Sequence, residues 1–155
     1  MAEPVEIVEA NVRAPYYFIS AARWTCRQCT DVTPVHALML PEMHEMLIDD
    51  GWDRLGLPAR MFYVDYLSIS VQQRVFRTMP HYWLDQDEAI GFPYFMNHCE
   101  RCGAKQTDRA LHEEYPGAFC SAQWEPTGGV GPIVVHEPLT AHAAGFVIEQ
   151  RTGIG

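Results

Sequence analysis

Hydrophobic and polar positions divide the chain into short segments of strand-like and helix-like spacing. Residues 16–24 are rich in strand-favouring types without clean alternation, which predicts a strand covered on both faces, with a short helix over 19–23 as the alternative. Residues 34–41 form an apolar run bounded by Pro34 and Pro41, and read as a strand returning from a turn. In 42–53, Met43, Met46, Leu47 and Ile48 recur at roughly helical spacing among five carboxylates, so one or two helical turns ending at Gly51 are predicted. Residues 62–69 predict a further strand, and Val71, Val75, Phe76 and Met79 mark one face of a short helix that Pro80 stops. The acidic stretch 85–88, with Gly91 and Pro93 behind it, predicts a loop. Residues 94–97 predict a strand, and 132–136 with 145–148 a closing pair of strands. Residues 11–15 interrupt regular structure near the start, and 1–12 and 150–155 are expected to be flexible.

Two Cys-x-x-Cys units change this picture. Cys26-Arg27-Gln28-Cys29 and Cys99-Glu100-Arg101-Cys102 each let a tight turn, or knuckle, aim two thiolates at one tetrahedral cation. Together they predict a closed structural site with Cys26, Cys29, Cys99 and Cys102 as metal ligands and Zn2+ as the cofactor, since a sulfur-only tetrahedron suits zinc or iron and iron–sulfur proteins more often show denser or family-specific spacings. The pairs are separated by 69 residues, against about 15–20 in a compact ribbon. The longer loop adds only about 1.2 kcal/mol of closure entropy, small beside the roughly 10–16 kcal/mol of a structural zinc site. Gly103 after the second pair can take a positive φ, whereas Thr30 after the first predicts a different turn geometry. Four thiolates around a dication leave two negative charges, and Arg23, Arg27, Arg101 and Lys105 lie within six residues of a ligand.

Other chemistries fit less well. Thr30-Asp31-Val32-Thr33-Pro34 is a poor helix start for a thioredoxin-like site. A nucleoside-deaminase motif lacks its glutamate, Gln28 standing there, and its proline, His98 standing before Cys99. His44-Glu45 and His112-Glu113 lack the second histidine of a metalloprotease motif. No catalytic residue is assigned. His98 and His112 are close enough to the second knuckle to be donors or substitute ligands, although ordinary hydrogen-bonded histidines account for them more simply. Cys120 reads as a small buried apolar residue, and the glycines at 128, 129 and 131 as a turn.

The segments Trp24-Thr25-Cys26-Arg27-Gln28-Cys29 with Thr33-Pro34-Val35, and Tyr94-Phe95-Met96-Asn97-His98-Cys99-Glu100-Arg101-Cys102-Gly103-Ala104-Lys105-Gln106 with Leu111-His112, resemble a group of uncharacterised bacterial zinc-ribbon-like proteins. The resemblance spans about residues 16–119 and implies a four-cysteine zinc centre with no established activity. The expected fold is a single α+β domain over 1–155, with small antiparallel sheets, zinc-ribbon-like paired knuckles and short helices, and with 36–93 inserted between the knuckles.

Composition and charge bound the function. The chain has 155 residues, 48% of them apolar, enough for one core. Its formal charge is −9, of which the windows 42–53 and 85–88 carry −8. That balance disfavours nucleic acid and anionic membranes as partners. The start of the chain lacks a signal-peptide pattern and no membrane-length apolar run occurs, so a cytoplasmic location is expected. These observations favour a non-catalytic, zinc-stabilised interaction module, an acidic adaptor or inhibitor of a basic protein. The alternatives are a zinc-ribbon nucleic-acid-binding protein and, less favoured, a metalloenzyme using a histidine-completed site.

Overall fold

In this computed structural model, residues 10–114, 117–119 and 132–148 are described. The expectations for Cys120, for the turn at 128–131 and for the two chain ends lie outside them, apart from residues 10–12. The strands are β1 (Val12–Ala14), β2 (Tyr17–Thr25), β3 (Val32–Leu40), β4 (Glu45–Ile48), β5 (Gly51–Arg54), β6 (Ala59–Leu67), β7 (Tyr82–Asp87), β8 (Phe92–His98), β9 (Lys105–Gln106), β10 (Ile133–Val135) and β11 (Leu139–Ile148). Helix α1 covers Ile69–Thr78, and a π-helical turn covers Arg109–Glu113.

Eight strands form one antiparallel sheet in the order β10-β2-β3-β6-β11-β1-β4-β5, which curls into half a barrel. The other three, β7-β8-β9, form a small second sheet. This corrects the expected α+β zinc-ribbon fold. The molecule is mostly β, and its dominant element is a wide sheet built on long strands. The strand β6, from the stretch between the knuckles, lies between β3 and β11 and so completes that sheet.

Several local readings fail for physical reasons. The stretch read as helix at 42–53 is the hairpin β4–β5, with Ile48 paired to Gly51. Asp49 and Asp50 turn it with φ of 49° and 65°, the double left-handed conformation that matches strand twist in a two-residue loop. Aspartate tolerates that conformation, whereas carboxylates four apart at Glu45, Asp49 and Asp53 would repel along a helix. The stretch read as loop at 85–88 is largely strand, because its carboxylates have partners. Asp85 accepts from His98 at 2.7 Å, Asp87 accepts the Tyr94 hydroxyl at 2.7 Å, and Glu88 pairs with Lys105 at 3.1 Å. Residues 11–15 also contain a short strand, β1, held between β4 and β11.

The remaining elements follow their patterns. In β2, Tyr17 and Ile19 enter the main core while Ala22 packs in a second cluster with Val35, Ala37, Leu111 and Phe119, so both faces are covered. Helix α1 lays Val71 and Val75 into the main core beside Leu38, Leu40, Met61, Val64 and Leu67, with Met79 following. Burial of each such side chain contributes roughly 1.5–3 kcal/mol. Phe76 does not share that face and is 77% exposed. Among the described residues no helix is long and apolar enough to cross a membrane.

Where β6 meets β8, Asp108 is buried, and its Oδ2 accepts the Tyr63 N–H at 2.8 Å. Tyr63 has φ of 52°, a costly conformation for an aromatic residue. The Asp108 N–H donates to the Tyr94 hydroxyl at 3.1 Å, and its Oδ1 has no partner among the described residues. Burial raises the Asp108 pKa to about 7; the Tyr63 N–H opposes the rise, and the carboxylates of Asp87 and Glu113 add to it.

Two predictions arise from this packing. Gly145 lies so close to the Phe62 ring that an added Cβ would overlap it, and Phe62 is stacked on His112 at 5.2 Å. Gly145→Ala should lower the unfolding free energy in urea by about 1–3 kcal/mol, while Gly56→Ala, into open space, should change it by less than about 0.5 kcal/mol. The folded-state pKa of Asp108 lies above its ordinary value of 3.8, so the stability it contributes is full below about pH 4 and is lost as pH rises through about 7. Asp108→Asn keeps an acceptor for Tyr63 and removes the charge. The variant should gain on the order of 3 kcal/mol relative to the wild type between pH 4 and pH 8. A flat difference between the two unfolding curves over that range would contradict this ionisation.

Candidate metal centre

The knuckles arise on different sheets. The first follows β2 of the large sheet, and the second joins β8 to β9 of the small one. Their backbones nonetheless fold alike. Thr30 N–H donates to Cys26 C=O at 2.9 Å and Cys26 N–H to Asp31 C=O at 2.8 Å. Gly103 N–H donates to Cys99 C=O and Cys99 N–H to Ala104 C=O, both at 2.9 Å. The residue after each second cysteine is left-handed, with φ of 67° at Thr30 and 77° at Gly103. Thr30 therefore adopts the glycine-like conformation, contrary to the different geometry its side chain suggested. Its hydroxyl donates to Cys29 C=O at 2.6 Å.

The turns bring all four sulfurs together, every pair lying within 4.8 Å. Cys26 Sγ lies 3.7 Å from Cys102 Sγ, and Cys29 Sγ 3.6 Å from Cys99 Sγ. A tetrahedron with metal–sulfur bonds of about 2.3 Å has edges of about 3.8 Å, so four sulfurs at these separations can hold a metal ion. Cys26 and Cys99 are buried, Cys29 is half-buried and Cys102 is exposed.

Backbone N–H groups, more than cations, face the sulfur. Gln28 and Cys29 donate to Cys26 Sγ at 3.4 and 3.5 Å. Burial raises the Cys26 pKa, but these two N–H groups and the thiols of Cys102 and Cys29 outweigh it and bring it to about 6. The N–H of Cys102 likewise holds Cys99 below its ordinary value. The N–H groups of Asp31 and Ala104 pull Cys29 and Cys102 down, but desolvation, with the thiols of Cys99, Cys102 and Cys26 at Cys29 and of Cys26 and Cys99 at Cys102, pushes both upward. Four sulfurs this close cannot all ionise without a cation among them.

Three of the four cations near the knuckles, Arg27, Arg101 and Lys105, have other partners. Arg101 pairs with Asp31 at 2.7 Å, tying one knuckle to the other. Arg27 pairs with Glu114 at 3.8 Å and lies over the Trp24 ring. Lys105 pairs with Glu88 at 3.1 Å and Asp85 at 3.6 Å. Neither nearby histidine joins the sulfur cluster. His98 Nε2 meets Asp85 at 2.7 Å, and the ring stacks on Trp83 at 3.6 Å. His112 accepts Arg60 Nε–H at 3.0 Å and lies between the rings of Phe62 and Phe119.

Side chains that spacing arguments passed over close the seam between the sheets. Asn97 accepts His36 N–H at 2.7 Å and donates to His36 C=O at 3.0 Å, replacing a strand partner. Thr33 Oγ1 accepts Glu100 N–H at 3.0 Å. Trp24 Nε1–H donates to Gln106 Oε1 at 3.0 Å. Their only sequence signal is polar type within or beside apolar runs flanking the cysteines.

Comparison with protein-family models, curated proteins and solved structures finds no match. No match supports the likeness to bacterial zinc-ribbon-like proteins; what the structure supports is a four-cysteine cluster that could hold a metal ion.

The matched turns generate a prediction about strain. Thr30→Gly should relieve the left-handed penalty and raise stability by up to about 1 kcal/mol, and Gly103→Ala should lower it by about 1–2 kcal/mol. No atom crowds Gly103, so the second loss is conformational. Urea unfolding of the metal-loaded protein, run beside chelator competition, checks both signs. Equal behaviour of the two variants would contradict the shared turn geometry.

Proposed function

We propose that the protein is a non-catalytic interaction module in which zinc, held by Cys26, Cys29, Cys99 and Cys102, fastens the small sheet to the large one. The observation that carries this reading is the donor set: four sulfurs within 4.8 Å of one another, two of them buried, would fill the four positions of a tetrahedral zinc and leave none for substrate. A catalytic zinc ordinarily keeps one position open. Zinc in this role supplies a charge that four thiolates can share, while the chain's N–H groups orient the sulfurs.

The surface offered to a partner is the β4–β5 hairpin. Strand β5 is the last in its sheet, and the hairpin leaves Asp49, Asp50 and Asp53 exposed beside Ile48, with Glu42 and Met43 just before it. None of these four carboxylates has an ion pair among the described residues, whereas Asp85, Asp87 and Glu88 are engaged within the fold. A basic segment of another protein suits this edge in charge and offers a strand to pair with it. Engagement of Arg27, Arg101 and Lys105 by carboxylates favours this reading over nucleic-acid binding.

Both halves can be tested. The purified chain should carry one zinc, and Cys26→Ser or Cys99→Ser should abolish cooperative unfolding, since structural zinc binding is folding free energy. A folded, merely inactive serine variant would favour the catalytic alternative. Asp49→Asn, Asp50→Asn and Asp53→Asn together remove three charges, and asparagine tolerates the turn's left-handed residues. Against an oligolysine peptide the triple variant should associate about tenfold more slowly at low salt, with a flatter salt dependence and unchanged melting temperature. An unchanged rate would remove the hairpin as the docking edge.

A further inference from the structure

The sulfur cluster is asymmetric, and one side chain outside the knuckles touches it. Gln106 is buried on β9, and its Nε2 donates to Cys26 Sγ at 3.4 Å and to Ala104 C=O at 3.0 Å. Its Oε1 accepts the indole N–H of Trp24 at 3.0 Å. Each hydrogen of the amide nitrogen thus has an acceptor, and the indole fixes which end of the amide faces the sulfur. Trp24 and Cys26 belong to the large-sheet side, while Gln106 belongs to the small sheet, so the relay Trp24–Gln106–Cys26 crosses the seam. Cys26 Sγ receives three N–H groups, two from its own turn and one from Gln106. Cys102, on the opposite knuckle, is the exposed member of the set.

We infer that Gln106 is a positioning residue of the metal centre, anchoring Cys26 as the sulfur released last while the exposed Cys102 is released first. This rests on the metal reading proposed above. A donor to a bound thiolate drains charge from sulfur and holds its lone pair in direction, so removing the donor weakens retention of the metal and raises the energy of the sulfur electrons. A neutral amide performs this without a cation beside the site. The paired state of Arg27, Arg101 and Lys105 leaves that task to N–H donors.

The test uses the full chain loaded with zinc and, in parallel, with cobalt(II) as a spectroscopic stand-in. Gln106→Leu should release zinc to a chelator about tenfold faster than the wild type. It should also shift the sulfur-to-cobalt charge-transfer band to longer wavelength, a change that loss of packing alone would not produce. Timed alkylation of the zinc form by iodoacetamide, read by mass spectrometry, should modify Cys102 first and Cys26 last in the wild type. In the variant Cys26 should move forward in that order. Should Gln106→Leu not fold, Trp24→Phe, which keeps a ring and removes the indole donor, should show both spectral and kinetic changes in the same direction and smaller. An unchanged release rate and band in a folded variant would overturn the role of Gln106 and leave the metal centre standing. A wild-type chain that takes up neither cobalt nor zinc would overturn both.

Discussion

The seam between the two sheets is the constraint on which this molecule turns. The small sheet has three strands, one of them two residues long, which is too little to stand alone in water. It is held to the large sheet by side chains of unusual directness: Asn97 on the backbone of His36, Thr33 on the backbone of Glu100, Arg101 on Asp31, Trp24 on Gln106. The sulfur cluster lies at the end of that line, where the chain leaves β2 and where β8 turns into β9. Each of the neutral contacts contributes about 1 kcal/mol net. Tyr82 of β7 also enters the main core, with Phe95 of β8 packed against it, and a metal held by the four thiolates, as proposed, would add about ten times as much as any one of these polar contacts.

The clustering of the four cysteines was legible in the sequence because its signal is local: Cys-x-x-Cys specifies a turn, and logarithmic loop entropy makes the distance between the turns nearly irrelevant. Most strands and α1 were legible for the same reason, their apolar runs being bounded by proline or glycine. What failed depended on partners far along the chain. The hairpin at 42–53 reads as helix until Asp49 and Asp50 are known to turn left-handed, and the acidic stretch 85–88 reads as loop until His98, Tyr94 and Lys105 supply its partners. Spacing alone puts Phe76 on the same face of α1 as Val71 and Val75, yet only those two, four apart, take the core. The eight-stranded order was not readable at all, since β6–β11 and β1–β4 pairings arise from long-range packing.

The charge around the site shows the same divide between local and distant information. Clustering of cations near the cysteines suggests compensation of the thiolates, but Arg27, Arg101 and Lys105 meet the carboxylates of Glu114, Asp31 and Glu88 instead. N–H groups of the turns, together with the Gln106 amide, are what face the sulfur. Such dipoles are fixed by the fold and carry little desolvation penalty, whereas an arginine buried against sulfur would need further partners for its remaining donors.

The most direct test of this account is X-ray absorption at the zinc edge on the chain purified with its native metal. The account predicts a single shell of four sulfur atoms at about 2.3 Å. A protein without stoichiometric metal, or a shell containing nitrogen or oxygen in place of one of the sulfurs, would contradict it.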